Sequence, residues 1–183
     1  MSFSGNERNH LFHNRGGREF RDISGISGLD SPQDGRSFVV WDYDRDGWQD
    51  IALANVNSPV LRLYRNEAGS AGDEFSDPRN MLALKFVGGH STAQRSDHFS
   101  CRDGYGVKAT VTLAEQTLMR EHRCGEGLAA QNSNYMLFGI GTNEVVDSIS
   151  VLWPSGITQR LDHVRAGELV TVYENAAEST SGN

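Results

Sequence analysis

The sequence predicts an all-β protein. Its 183 residues include 20 Gly and only 4 Pro, and its apolar residues fall in short runs between turn-forming residues. Many glycines between short apolar runs are typical of tight turns that join strands. No segment shows the sustained 3.6-residue periodicity of an amphipathic helix. We therefore expect several short strands and little helix.

The first part of the chain, residues 1–66, contains five predicted strands. They are indicated by short apolar runs and by alternation of apolar and polar residues, as in VLRLYR. We place two of them on either side of the Gly16-Gly17 turn, and three at 37–43, 50–56 and 60–65. Residues 67–80 lose this pattern, and their Gly, Ser and acidic residues predict a linker.

The second part, residues 81–174, contains a new series of strands. Val107, Ala109, Val111 and Leu113 are the apolar alternates of a strand that forms a hairpin with the next one. The chain then ends in a polar tail of small residues at 175–183, which we expect to be disordered. The strands of this part are predicted at 81–87, 105–113, 117–124, 135–140, 147–153, 157–162 and 168–174.

Charge and hydropathy exclude two classes of partner. The formal net charge is −7, and an acidic surface disfavours nucleic acid, because phosphate binding needs a basic face. No run of 18 apolar residues occurs, so we expect no membrane span. The first residues lack the apolar stretch of a signal peptide, so from this sequence by itself we expect no export, and we expect export if the chain is part of a longer exported protein.

The two cysteines, Cys101 and Cys124, flank the predicted hairpin. A disulfide between them is geometrically conceivable. Two free thiols are the alternative, and the redox compartment of the protein decides between the two. The sequence leaves both open.

The most specific motif is the nine-residue loop 42–50. Carboxylates occupy its positions 1, 3, 5 and 9, and a glycine occupies position 6. A hard cation binds such a row of oxygens, whereas without one the four charges repel each other and some pKa values rise. The loop lacks the glutamate at position 12 of an EF-hand, and strands flank it.

We predict a strand–loop–strand Ca²⁺ site with an affinity of about 10⁻⁴ to 10⁻³ M. A solvated acidic turn is the plain alternative. The expected ligands are Asp42, Asp44, Asp46, Trp48 through its carbonyl, and Asp50.

Residues 38–55 (FVVWDYDRDGWQDIALAN) resemble an FG-GAP or VCBS repeat, the calcium-bearing unit of integrin-like β-propellers. The phrases HLFHN, FRDI and LYRN before and after it are similar to those that punctuate such repeats. The resemblance implies the same five ligands. It covers one full repeat and parts of its neighbours, so it implies a partial propeller-type unit in residues 1–66 and no whole propeller.

Residues 81–174 resemble the ASPIC/UnbV domain, which follows such repeats in related proteins. Four phrases in matching order carry this resemblance: DGYGVKA (103–109), GEGLAAQNS (125–133), LFGIG (137–141) and VLWPSG (151–156). For this part we expect a β-sandwich or barrel-like domain of six to eight strands. The resemblance offers no ligand or catalytic residue here.

Together these observations predict a non-enzymatic, calcium-binding structural or interaction module. The resemblance implies a secreted or cell-surface location and protein or matrix partners, with self-association as a way to cover the lone repeat. The alternative is a calcium-assisted carbohydrate-binding module in which Trp48, the aromatic residue within the loop, stacks on a sugar. A hydrolase is disfavoured, because the ion already occupies the acids that it would need.

Overall fold

A computed structural model describes residues 7–67, 80–92, 94, 96–174 and 180–182. The protein is all-β, with 47% strand and 3% helix, which confirms the predicted fold class. The described strands form four sheets. The described residues fall into two compact units: the first comprises 7–43, 49–66 and 125–132, and the second comprises the others.

The first unit contains a two-stranded and a three-stranded antiparallel sheet. The β1–β2 hairpin turns at Gly16 and Gly17, as predicted, and β3, β4 and β5 form a meander. The bounds are β1 Phe12–Asn14, β2 Phe20–Asp22, α1 Ser24–Ser27, β3 Gly35–Trp41, β4 Asp50–Asn55 and β5 Leu61–Tyr64. Residues 125–132, which the sequence places with the second domain, lie in this unit along β3.

The second unit is built from two four-stranded sheets. Their strand orders are β11-β10-β7-β8 and β13-β12-β6-β9, and β6 and β12 are the one parallel pair among the described strands. The bounds are β6 Asn80–Val87, β7 Lys108–Leu113, β8 Gln116–Glu121, β9 Tyr135–Gly141, β10 Val145–Leu152, β11 Thr158–Arg165, β12 Leu169–Tyr173 and β13 Thr180–Gly182.

One hydrophobic core receives side chains from both of these sheets. Leu82 and Leu84 on β6 are fully buried, and so are Val111 on β7 and Ile149 on β10. Period-two alternation puts these residues on the inner face of each strand. Trp153, which follows β10, is 1% exposed and belongs to the same core.

Two expectations need correction. The barrel-like alternative is wrong for the described residues, because the sheets have free ends at β8, β11, β9 and β13 instead of closing. The tail is not disordered throughout: Thr180–Gly182 pairs with β12 as β13, since an edge strand offers unpaired backbone groups. Residues 175–179 and 183, and most of the predicted linker 67–80, lie outside the described residues.

Two further features bear on compartment and membrane. Cys101 and Cys124 are both exposed free thiols. The described part of the chain contains no helix long and apolar enough to cross a membrane.

Candidate metal centre

The acidic loop connects two neighbouring strands of the three-stranded sheet. β3 ends at Trp41, β4 begins at Asp50, and these two residues lie opposite each other in the antiparallel register. The loop therefore leaves and re-enters the sheet at one point. Strands flank it on both sides, as the sequence predicts.

Three of the predicted ligands converge. One carboxylate oxygen each of Asp42, Asp44 and Asp50 lies within 4.8 Å of the other two. Two oxygens on one Ca²⁺ ion can be no further apart than twice the bond length, about 4.6–5.2 Å. The triad therefore meets the distance condition for holding one metal ion.

Burial differs across this triad. Asp50 is only 1% exposed, Asp42 is half-buried, and Asp44 is exposed to solvent. A site with one buried and one exposed carboxylate is anchored in the sheet and open to the solvent from which an ion enters.

The two remaining predicted ligands, Asp46 and Trp48, lie outside the triad. The Asp46 carboxylate accepts the backbone N–H of Trp48 at 2.8 Å. The Trp48 side chain is half-buried, so it is less accessible than expected for the aromatic residue of the loop. The roles of Asp46 and of the Trp48 carbonyl stay predictions.

Two residues with positive φ make the sharp turn of the loop. Gly47 has a φ of 91°, the conformation that its position in the motif predicts. Arg45 has a φ of 62°, which is uncommon for a residue with a side chain and which the sequence did not indicate. The backbone therefore reverses direction at residues 45–47, which lie between Asp44 and Asp50.

Asp50 is held by hydrogen bonds from two directions. Its Oδ2 accepts the backbone N–H of Tyr43 at 3.0 Å, and its Oδ1 accepts the backbone N–H of Asn66 at 2.8 Å. The Asn66 side chain in turn donates to the Gln49 carbonyl at 3.2 Å. A carboxylate has about four lone-pair sites, so two hydrogen bonds leave capacity for a cation. Sequence reasoning missed Asn66 as a supporting residue, although it closes the LYRN phrase.

A second buried carboxylate, Glu174, lies in the second unit and was not foreseen. It accepts backbone N–H groups of Gly89 at 2.8 Å and Ser100 at 2.7 Å, and hydroxyls of Ser100 at 2.7 Å and Ser155 at 2.5 Å. Burial raises the pKa of Glu174, but these hydrogen bonds outweigh burial, and the pKa lies below its ordinary value. Glu174 therefore fastens three segments of the unit as an ionised group.

Comparison with known proteins identifies part of the chain. It is 47% identical to cartilage acidic protein 1 of Homo sapiens over 60 residues, which are 32% of this chain and 9% of that protein. It is 40% identical to cartilage acidic protein 1 of Mus musculus over 73 residues, 39% of this chain and 11% of that protein. The chain thus matches only about a tenth of the length of these relatives. Residues 98–179 match the family model of ASPIC and UnbV, so the resemblance seen in the second half of the sequence is confirmed.

Proposed function

We propose that this protein is a non-enzymatic, calcium-binding structural and interaction module. The observation that carries the proposal is the convergence of Asp42, Asp44 and Asp50 within 4.8 Å in one strand–loop–strand. Three carboxylates at this spacing repel each other, and a bound cation removes that repulsion. The loop residues then hold the ion, and the ion fixes the loop that joins β3 to β4.

The proposal includes two finer statements about architecture. The β3–β4–β5 meander with its acidic loop supports an FG-GAP or VCBS type of repeat in residues 1–66. The core shared by the two four-stranded sheets supports a β-sandwich for the second unit.

Partners and location follow from the relatives by analogy. Their name places them in cartilage, and they share one segment with this chain. We propose that this protein also works outside the cell or at its surface, and that it contacts other proteins or the matrix.

Carbohydrate binding is the second candidate. Tyr43 is 41% exposed beside the triad and packs edge to face on Trp41, with ring centroids 6.4 Å apart. An exposed ring next to an ion is a typical surface for a sugar. A glycan array separates the candidates: saturable calcium-dependent binding that is lost in Tyr43→Ala favours the carbohydrate function.

The primary experiment is thermal unfolding in calcium, in magnesium and in EDTA. Calcium at about 10 mM is expected to raise the melting temperature by several degrees over EDTA, given an affinity of about 10⁻⁴ to 10⁻³ M. Magnesium should raise it less, because its smaller octahedral shell suits a flexible acidic loop poorly. Equal melting temperatures in calcium and in EDTA would contradict the proposed calcium site.

A further inference from the structure

The β1–β2 hairpin presents a cationic face. His13 lies directly opposite Arg21 in the register, and the Arg15 N–H donates to the Glu19 carbonyl at 2.9 Å, which extends the same pairing. Side chains two apart on a strand share a face. His13, Arg15 and Arg21 therefore project from one side of the hairpin. The opposite side carries Phe12 and Phe20.

These three side chains border an open depression. It has a volume of about 660 Å³ and is closed on one side by the chain from Asp22 to Ile26, which includes the helical turn α1. Ile26 is 88% exposed and forms an apolar rim. The depression thus combines two arginines and a histidine with an apolar wall.

The negative groups near this depression are already engaged. Glu19 pairs with Arg15 at 3.0 Å, so each neutralises the other and Arg21 is the main cation that this face offers to a ligand. Asp22 accepts the Ser24 N–H at 2.9 Å and the Ser24 hydroxyl, and it pairs with His10 Nδ1 at 3.0 Å. These bonds, led by those from Ser24, lower the pKa of Asp22 to about 2. In the described structure no acidic side chain contacts the Arg21 guanidinium, which leaves Arg21 available for a ligand.

We propose that this cationic face, formed by His13, Arg15 and Arg21, binds sulfate groups of an acidic polysaccharide. A guanidinium donates a rigid fork of N–H groups that matches two oxygens of one oxyanion. From His13 to Asp22 the hairpin carries three arginines, Arg15, Arg18 and Arg21, and two carboxylates, Glu19 and Asp22, which leaves it a net charge of +1 in a chain of net charge −7. An anionic ligand is attracted to this segment before the rest of the chain.

Position favours a polysaccharide over an acidic peptide. A peptide that binds by strand addition pairs along a sheet edge through backbone hydrogen bonds. Here the charged groups lie on the face of the hairpin, so a ligand reaches them by lying over that face. The exposed Ile26 offers an apolar contact for the carbon face of a sugar ring.

The test is calorimetric titration with a sulfated hexasaccharide prepared from heparin, in EDTA at low salt. We expect saturable binding that is about 10- to 100-fold weaker in Arg21→Gln, since a lost hydrogen bond to a charged group has that effect. Arg165→Gln is the matched control, because it removes the same charge from an exposed arginine on β11. It should bind as the original protein does, and circular dichroism checks that both variants are folded.

Three results would overturn the proposal. One is an equal loss of binding in Arg165→Gln, which would indicate unspecific charge attraction. Another is equal binding of the desulfated hexasaccharide, and a third is tighter binding of a polyglutamate peptide. Because EDTA removes calcium throughout, failure here leaves the calcium proposal intact, and failure of the calcium experiment leaves this one intact.

Discussion

The carboxylate of Asp50 accepts the backbone N–H of Asn66 at 2.8 Å, from a residue 16 positions further along the chain. Asp50 begins β4 and Asn66 follows the antiparallel β5, so one buried side chain ties these two strands together at the same end of the sheet. The same carboxylate accepts the Tyr43 N–H at 3.0 Å. Asp50 therefore has a structural role that does not depend on an ion.

The first prediction concerns this structural role. Asp50→Asn should lower the free energy of unfolding by about 1–3 kcal/mol in EDTA, because the amide group turns a donor toward one of the two N–H groups that the carboxylate accepts. Urea unfolding measures the change. Asp44→Asn is the matched control, since Asp44 is exposed. In EDTA it should stay within about 0.5 kcal/mol of the original protein. A similar loss of stability in both variants would show that Asp50 has no structural role beyond that of the exposed Asp44.

The second prediction concerns the ion. At about 10 mM calcium, a site with an affinity of about 10⁻⁴ to 10⁻³ M adds about 1.4–2.7 kcal/mol to the free energy of unfolding. Asp44→Asn should lose most of this gain, because it removes one of the three converging carboxylates. Isothermal titration with calcium measures the affinity directly. An unchanged calcium affinity in Asp44→Asn would exclude Asp44 as a ligand.

The third prediction concerns the edge of β3. The Asn132 side chain accepts the Val40 N–H at 2.8 Å, which satisfies a backbone group at the edge of the sheet, and its amide donates to Glu126 at 2.7 Å. Asn132→Ala should cost about 1 kcal/mol of stability and speed hydrogen exchange at the Val40 amide. Exchange measured by NMR at Leu84, which is buried in the second unit, is the internal reference. Unchanged protection of Val40 would show that Asn132 does not cover this edge.

The fourth prediction concerns acid stability. The pKa of Glu174 is lower in the folded protein than in the unfolded chain, so the unfolded chain binds the proton more readily. The stabilisation by Glu174 is therefore complete above the unfolded pKa and is lost as the pH falls through the lower, folded pKa. Stability measured from pH 6 down to pH 2 should decline from the ordinary pKa of a glutamate downward.

Glu174→Gln tests the same assignment. At pH 7 the variant should be less stable by about 2–4 kcal/mol, because a neutral amide cannot accept four donors and leaves buried groups unpaired. Its stability should also fall less steeply with acid than that of the original protein. A variant that keeps the original acid profile would show that other carboxylates govern the transition.

The sequence was sufficient for features that depend on local pattern. Alternation in Val107, Ala109, Val111 and Leu113 predicted the buried face of β7 and of the residue before it, and all four are at most 4% exposed. The spacing of carboxylates located the acidic loop and the positive φ of Gly47. Such features need only neighbouring residues, because side-chain direction and turn geometry repeat over two to four positions.

Features that join distant segments could not be predicted. Val40 and Asn132 are 92 residues apart, and Ser100 and Glu174 are 74 residues apart. Neither contact leaves a pattern in the sequence, because a buried polar group can be satisfied by any suitable partner that the fold brings near. The same reason explains why the pairing of β12 with β13 was missed.

The fifth prediction concerns a close approach at Gly104. Gly104 has a φ of 66°, and a Cβ atom there would lie 2.5 Å from the Phe86 Cβ in the core. Gly104→Ala should therefore cost about 3 kcal/mol or more, since it combines backbone strain with a clash that a packed core cannot relieve. Gly156→Ala is the matched control: its φ is 92°, but nothing lies within 4 Å of the added Cβ, so it should cost only about 1–2 kcal/mol. Urea unfolding of both variants measures the difference. Equal costs would mean that backbone conformation alone, and not contact with Phe86, requires glycine at position 104.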